Sequence, residues 1–289
     1  MKKVKVQIIN SFSINEKGGN PAGVVLDADH LSMAQKQTVA KSVGVSETAF
    51  LYQSELADFK VDFFTPTKQI PHCGHATVAA FSYLRQLNQI ATDRSSKETI
   101  DGLRSIFFEE SRAYMEQKSP AFYQLSDDEI SQTARALGLK STDLLALPQI
   151  VNTGNSFLIV EVEERVLESI EPLHPEIEKI SKKHDLIGFY VFAKPADPAF
   201  DATTRMFAPY YGIDEESATG MAAGPLACYL DKYHSNRTPN YKISQGRFMT
   251  APSPSCIYVR LEKSEDQVTR LFAGGDAYVS STINLNINE

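Results

Sequence analysis

The chain has 289 residues, with 29 basic and 36 acidic side chains and a formal charge of −7, so its length suits one large domain or two medium ones. The acidic balance argues against a nucleic-acid binder working through an overall positive field, and no apolar run is long enough for a transmembrane helix. Residues 1–6 are not followed by the apolar stretch and cleavage site of a secretory signal. The three cysteines, Cys73, Cys228 and Cys256, are too few and too scattered for a disulfide framework or a closed zinc site. The expectation is a cytoplasmic protein acting on something small, with no nucleic-acid or membrane partner.

In chain order, residues 4–12 read as a strand, and Asn20-Pro21-Ala22-Gly23 as a turn before the short strand 24–26. Ser32 with Gln35 has capping-box spacing and opens a helix to Val43, which Gly44 closes. Residues 45–52 and 59–64 are expected as strands, 66–74 as a loop and 75–87 as a mostly buried helix. The polar stretch 91–101 reads as an exposed connection. Ser126 and Glu129 form a second capping box for a helix to Leu137, closed by Gly138. Strands follow at 157–162, 187–193 and 202–207, with a helix between the first two that begins near Pro175 and ends near His184. A helix is expected over 218–233, although Pro225 would kink a helix already under way. Strands at 241–244, 256–261, 276–280 and 283–287 complete the chain. Strands outnumber helices and do not alternate strictly with them, which favours an α+β fold over a doubly wound parallel sheet.

The chain also echoes itself. Phe64-Thr65-Pro66 returns as Phe207-Ala208-Pro209, Ala76-Thr77 as Ala218-Thr219 and Ala79-Ala80 as Ala222-Ala223, at offsets of 142 or 143. The constant order and spacing indicate a duplicated half-molecule. Two helix starts, Gly74-His75-Ala76-Thr77 and Ala218-Thr219-Gly220-Met221, place small residues where backbone N–H groups lack intrahelical partners. Such ends carry partial positive charge and suit a carboxylate or phosphate. If the halves are pseudo-symmetric, both ends can serve one interdomain cleft. Small residues there would equally permit tight helix packing.

Glu47, between Ser46 and Thr48 before an apolar run, is either solvent-facing or held in a partly dry place that suits proton exchange near neutrality. His72, Cys73 and His75 invite a metal reading, but adjacent ligands rarely share one tetrahedral ion and no second cluster completes the set. We therefore expect no metal. Asp214-Glu215-Glu216 precedes a helix and by default complements its dipole. There is no phosphate-binding lysine motif, no dinucleotide fingerprint and no Gly-x-Ser-x-Gly elbow, so no cofactor is expected.

Several segments together resemble the PhzF (phenazine biosynthesis-like) family, relatives of diaminopimelate epimerase. They are Gly19-Asn20-Pro21-Ala22-Gly23-Val24-Val25, Ser46-Glu47-Thr48-Ala49-Phe50, Phe64-Thr65-Pro66 and Pro71-His72-Cys73-Gly74-His75-Ala76-Thr77. Thr153-Gly154, Phe207-Ala208-Pro209, Ala218-Thr219-Gly220, Gln245-Gly246 and Ala273-Gly274-Gly275-Asp276-Ala277 continue the series in the family's order. The resemblance implies two similar halves, each a curled mixed or antiparallel sheet around a central helix. The halves would be 1–118, with 281–289 packing back on it, and 119–280. It also implies a homodimer and cofactor-independent proton transfer on a small carboxylated substrate bound between the halves.

By position, Glu47 matches the family's general acid/base and His75 its site histidine, while Glu216 falls where the family usually has aspartate. Asn20, Gly74, Ala76, Thr77, Thr219, Gly220 and Met221 fall on substrate-binding positions. Met221 lacks the hydroxyl of the family's serine but keeps its backbone N–H, and Ser253-Pro254-Ser255 replaces a frequent Arg-Pro-Ser. The reading is an isomerase with Glu47 as general acid/base. The alternatives are a cysteine-dependent epimerase or racemase, and a non-catalytic small-carboxylate binding protein.

Overall fold

The computed structural model describes residues 2–234 and 238–287. The chain divides into two compact units, Met1–Glu116 with Gly274–Glu289, and Gln117–Ala273. Of the segment 281–289 expected on the first half, 288 and 289 lie outside the described residues.

In the first unit, Lys2–Ser11 pairs antiparallel with Ala277–Ile287 and with Asn20–Val25. From there the sheet proceeds through Thr48–Tyr52 (parallel), Phe59–Phe64 (antiparallel), Arg94–Thr99 (parallel) and Gly102–Glu109 (antiparallel). Parallel neighbours need a long crossover, and two helices supply it: α1 (Met33–Val43) before Thr48–Tyr52 and α2 (Gly74–Gln86) before Arg94–Thr99. The capping box of α1 forms as read. Gln35 N donates to Ser32 Oγ at 3.3 Å and Ser32 N donates to Gln35 Oε1 at 3.0 Å, while Gly44 closes the helix at φ 75°. Its inner face packs Val39 and Ala40 on Val6, Phe50 and Phe64.

The central helix α2 is buried continuously from Gly74 to Ser82. Its run of small residues lets the sheet curl closely around it, and Phe81, fully buried, fills the space the alanines leave. Burying such a side chain stabilises the unit by about 1.5–3 kcal/mol.

The second unit repeats this plan. Gln149–Asn152 pairs antiparallel with Ser156–Glu161, which runs parallel to Leu186–Ala193. Ala202–Ala208 (antiparallel), Asn240–Gln245 (parallel) and Ser255–Ser264 (antiparallel) follow. α3 (Asp127–Ala136) and the short α4 (Glu164–Glu168) are additions. α5 (His174–His184) and α6 (Gly220–Tyr233) take the places of α1 and α2. The order of parallel and antiparallel neighbours matches the first unit step for step, as a duplicated half requires.

Several expectations need correction. The stretch 91–101 contains the strand Arg94–Thr99, whose Ser95, Lys97 and Thr99 are buried while their neighbours are not. It alternates like any half-buried strand, but its inward side chains are hydroxyls and an amine, so an apolar pattern cannot reveal it. Asn20–Gly23 is not a turn but the start of Asn20–Val25. Pro21 is tolerated because the parallel neighbour begins only at Gly23, leaving Pro21 on an edge. Residues 45–47 lie outside the strand, which begins at Thr48, and 276–287 form one long strand, Ala277–Ile287, rather than two.

α6 begins at Gly220, not Ala218, and Pro225 lies inside it. Gly224 packs tightly there, since a Cβ would lie 2.4 Å from Gln117 Oε1 and would displace that side chain. The helices therefore correspond at an offset of 146 (Gly74 with Gly220, Tyr83-Leu84 with Tyr229-Leu230), not 142 or 143. The connection entering α6 is three residues longer and holds the strand Ile213–Glu216.

Candidate active site

The first helix start gathers groups that exchange protons. Gly23 N donates to Glu47 O at 2.9 Å, tying Glu47 to the entrance of Thr48–Tyr52. Gly23 has no room for a side chain, because a Cβ would meet Thr48 Oγ1 at 2.7 Å. From this fixed backbone the Glu47 carboxylate lies 3.2 Å from His75 Nε2, and its side chain is 12% exposed. The oxygen in that contact is Oε2, which is buried and has His75 as its partner rather than a well-aligned hydrogen-bond donor. A carboxylate set against an imidazole in a partly dry place is suited to proton exchange.

Cys73, the N-cap of α2, donates no side-chain cap. Its Sγ lies 3.6 Å from His75 Nδ1, and Ser46 Oγ lies 3.4 Å from His75 Nε2. His75 is thus held on both ring nitrogens. The ligand atoms of Glu47, Cys73 and His75 all lie within 4.8 Å of one another, a set of donor types that a metal could use. Those atoms already engage one another through His75. His72, grouped with Cys73 and His75 by sequence, is not part of this set. It packs edge-on against Phe63 and meets Lys97. Burial, then the positive charges of Lys97 and Arg104, hold its imidazole well below its ordinary pKa.

Gly74, Ala76 and Thr77 occupy the first turn of α2 and are buried. Thr77 Oγ1 turns back to donate to Cys73 O at 2.6 Å. Asn20 is buried at the head of Asn20–Val25, with its carbonyl accepting from Ser11 Oγ at 3.2 Å.

The second helix start is built differently. Thr219 is the N-cap of α6, Gly220 its first residue and Met221 its second. Thr219 Oγ1 donates to Glu216 Oε2 at 2.5 Å. The side chain of Gln245, fully buried, locks this turn. Its Oε1 accepts from Thr219 N at 3.1 Å and Tyr190 OH at 2.9 Å, and its Nε2 donates to Glu216 O at 2.7 Å. Burial of Tyr190 raises its pKa and keeps it a donor. Gln117 Nε2 donates to Gly220 O at 2.9 Å, and Asn155 Nδ2 lies 3.4 Å from Met221 Sδ.

The acidic run does not act as one block of dipole-complementing charge. Asp214 is highly exposed and lies 3.3 Å from His174. Glu215 makes two 2.8 Å bonds to Arg205, and Glu216 turns to Thr219. Reading the sequence missed Gln245 as a site residue, although its Gln-Gly pair was visible, and missed Lys97 and Gln117 entirely.

The profile of the phenazine biosynthesis-like protein family, PhzC-PhzF, matches residues 9–282. An uncharacterised isomerase of Clostridium acetobutylicum is 33% identical, over 99% of this chain and 100% of its own. The trans-2,3-dihydro-3-hydroxyanthranilate isomerase of Pseudomonas chlororaphis is 29% identical, over 93% of this chain and 94% of its own. The crystal structure of a phenazine biosynthesis protein of the PhzF family from Bacillus anthracis superposes with a TM-score of 0.88 at 27% identity, covering 99% of this chain and 100% of that one.

Proposed function

The chain belongs to the phenazine biosynthesis-like PhzC-PhzF family and is an isomerase, and from that premise we propose that Glu47 moves a proton between two carbons of a small carboxylated substrate. The carboxylate removes a proton from an sp³ carbon beside a conjugated system. The C–H electron pair becomes part of a shifted double bond, and Glu47 returns the proton to a second carbon. Nothing is oxidised or reduced, so no redox partner is required.

The observation that carries this reading is the half-enclosed Glu47 carboxylate whose Oε2 meets His75 Nε2 at 3.2 Å, with a side chain that keeps 12% of its surface exposed. A general base must reach the carbon acid, and a carboxylate paired to an imidazole on one side and still partly accessible can do so. His75 balances the charge on Glu47 as it changes. The N–H groups of Gly74 and Ala76 at the start of α2 would hold the substrate carboxylate and stabilise developing negative charge. Such preorganised donors usually give the largest electrostatic contribution to rate. Asn20 and Thr77 would complete the enclosure at the start of α2, and in the second unit Glu216, braced by Thr219, with Gly220 and Met221 would make a second ligand-contacting turn. The homodimer and the cytoplasmic setting belong to the same proposal, and light scattering at twice the chain mass checks the first.

The cysteine-dependent epimerase finds less support. It needs a thiol at each helix start, and Thr219 stands where Cys73 stands in the first. Cys228 is buried well inside α6, and burial pushes its thiol up to about 12. A purely binding protein would have no use for a carboxylate paired with an imidazole in its site.

The test is turnover of trans-2,3-dihydro-3-hydroxyanthranilate and a panel of related cyclic carboxylates by the wild type and by Glu47→Gln. Turnover lost in the variant with ligand binding kept supports the reading. Binding without turnover in the wild type favours the binding protein.

A further inference from the structure

Lys36, Arg205 and Lys97 are all buried basic side chains. Two of them have the carboxylate that burial of a charge demands: Lys36 meets Asp62 at 2.6 Å and Arg205 meets Glu215 at 2.8 Å. Lys97, with no exposed surface, has no carboxylate within ion-pair distance among the described residues. Its Nζ donates to Thr77 Oγ1 at 2.5 Å and to His72 Nδ1 at 3.3 Å, and lies 4.9 Å from the centre of the Phe63 ring. Thr77 in turn donates its own hydroxyl hydrogen bond to the carbonyl of Cys73, the residue that opens α2. The ammonium therefore sits one hydroxyl away from the positive end of the central helix. Two positive features are packed together with no acid in contact to balance them.

We propose that Lys97 is a positioning residue of this isomerase whose buried ammonium, acting through Thr77 and the first turn of α2, makes that helix start select a carboxylate over an uncharged group of the same shape. The inference rests on the reading of the helix start as the carboxylate-holding element and adds the group that supplies its charge. A helix end alone offers only a partial charge that fades within a turn. A full charge in a dry environment acts over a longer distance than a screened one. The missing acid is then the substrate's own, and until it arrives the amine holds its proton only loosely. Burial, the largest influence, lowers Lys97 to about 7, with Cys73 and Asp101 opposing the shift and Arg104 reinforcing it. An anion at the helix start would restore the proton. His72, kept neutral by its own burial and by Lys97 and Arg104, accepts from the ammonium without competing for charge.

Calorimetric titration of anthranilate and of its uncharged isostere 2-aminobenzamide into the wild type and Lys97→Met tests this. A methionine of similar length replaces a buried unpaired charge, a change that is often neutral or stabilising, and circular dichroism confirms the fold. The wild type is expected to prefer anthranilate, and the variant to lose roughly ten- to thirtyfold of its affinity for anthranilate while binding the amide unchanged. The wild-type preference should also fade as pH rises from about 6 to about 9, while the variant stays flat. His72, Cys73, Asp101, Arg104 and the Glu47–His75 pair remain in both proteins, so a difference between the two profiles belongs to Lys97. Equal anthranilate affinity in the two proteins, or a wild-type preference that does not change with pH, overturns the inference and leaves the carboxylate reading standing. A wild type that takes the amide as well as the acid overturns both. Should the variant not fold, the wild-type pH profile alone decides.

Discussion

The two halves have the same strand order and the same central helix, yet their helix starts differ in chemistry. At α2 the groups gathered are a carboxylate, an imidazole and a thiol, the carboxylate and the thiol each in contact with the imidazole. At α6 the corresponding turn is tied down by Gln245, Thr219 and Glu216, each engaged with another. Where Cys73 caps the first helix, Thr219 caps the second; where His75 stands second in α2, Met221 stands second in α6. Duplication supplied two equivalent frames, and the side chains then divided the labour. Under the proposed function one end moves protons and the other holds still. The connection before α6, three residues longer, holds the four-residue strand Ile213–Glu216 where the first half has only Gln69–Ile70, and Glu216 at its end meets Thr219.

If the division is real, damage to the first start should abolish chemistry, and damage to the second should weaken binding or precision. Glu47→Gln should lower kcat by about 10³-fold or more, the upper part of the range for a general acid/base, with substrate affinity nearly kept. Gln245→Leu removes the acceptor of Thr219 N and of Tyr190 OH and the donor to Glu216 O. We expect a loss of about 2–4 kcal/mol in unfolding free energy and a raised KM, read by denaturant titration and steady-state kinetics. Equal loss of kcat in Glu47→Gln and in a folded Gln245→Leu would break the comparison.

Lys97 gives a pH signature to the first half alone. Its proton is bound less tightly in the folded chain than in the unfolded one, so between about pH 7 and pH 10 the unfolded state holds more protons. Stability should therefore rise with pH across that window, by on the order of 3–5 kcal/mol at most, and Lys97→Met should remove the slope. The buried tyrosines Tyr190 and Tyr229, raised by burial, act the other way above about pH 10, where the unfolded chain loses their protons first. Met221→Ser is the mildest change: it restores a hydroxyl at the second start and should shift kcat/KM by less than about tenfold.

How much of this could be read from the residues depends on the distance over which each signal acts. The capping box at Ser32 and Gln35 and the stop at Gly44 are local, so sequence shows them fully. The duplication was visible in Phe64-Thr65-Pro66 and Phe207-Ala208-Pro209, but the helix alignment slipped because alanines repeat and Ala76 matches Ala218 as readily as Ala222. Glu47 and His75 were legible only as members of an ordered set of motifs, since nothing local says that a glutamate before a strand will meet a histidine on the next helix. Lys97 was hidden for a plainer reason. A strand that buries serine, lysine and threonine looks like an exposed connection until the hydroxyl and imidazole that receive the lysine are seen beside it.

The central claim is that the Glu47 carboxylate carries the proton. Turnover in deuterium oxide, followed by mass spectrometry of substrate and product, tests it most directly. The account predicts deuterium at the carbon that Glu47 reprotonates in the wild type and none above background in Glu47→Gln, with Cys73→Ser retaining exchange. Equal exchange in the wild type and Glu47→Gln, or exchange abolished by Cys73→Ser alone, would contradict it.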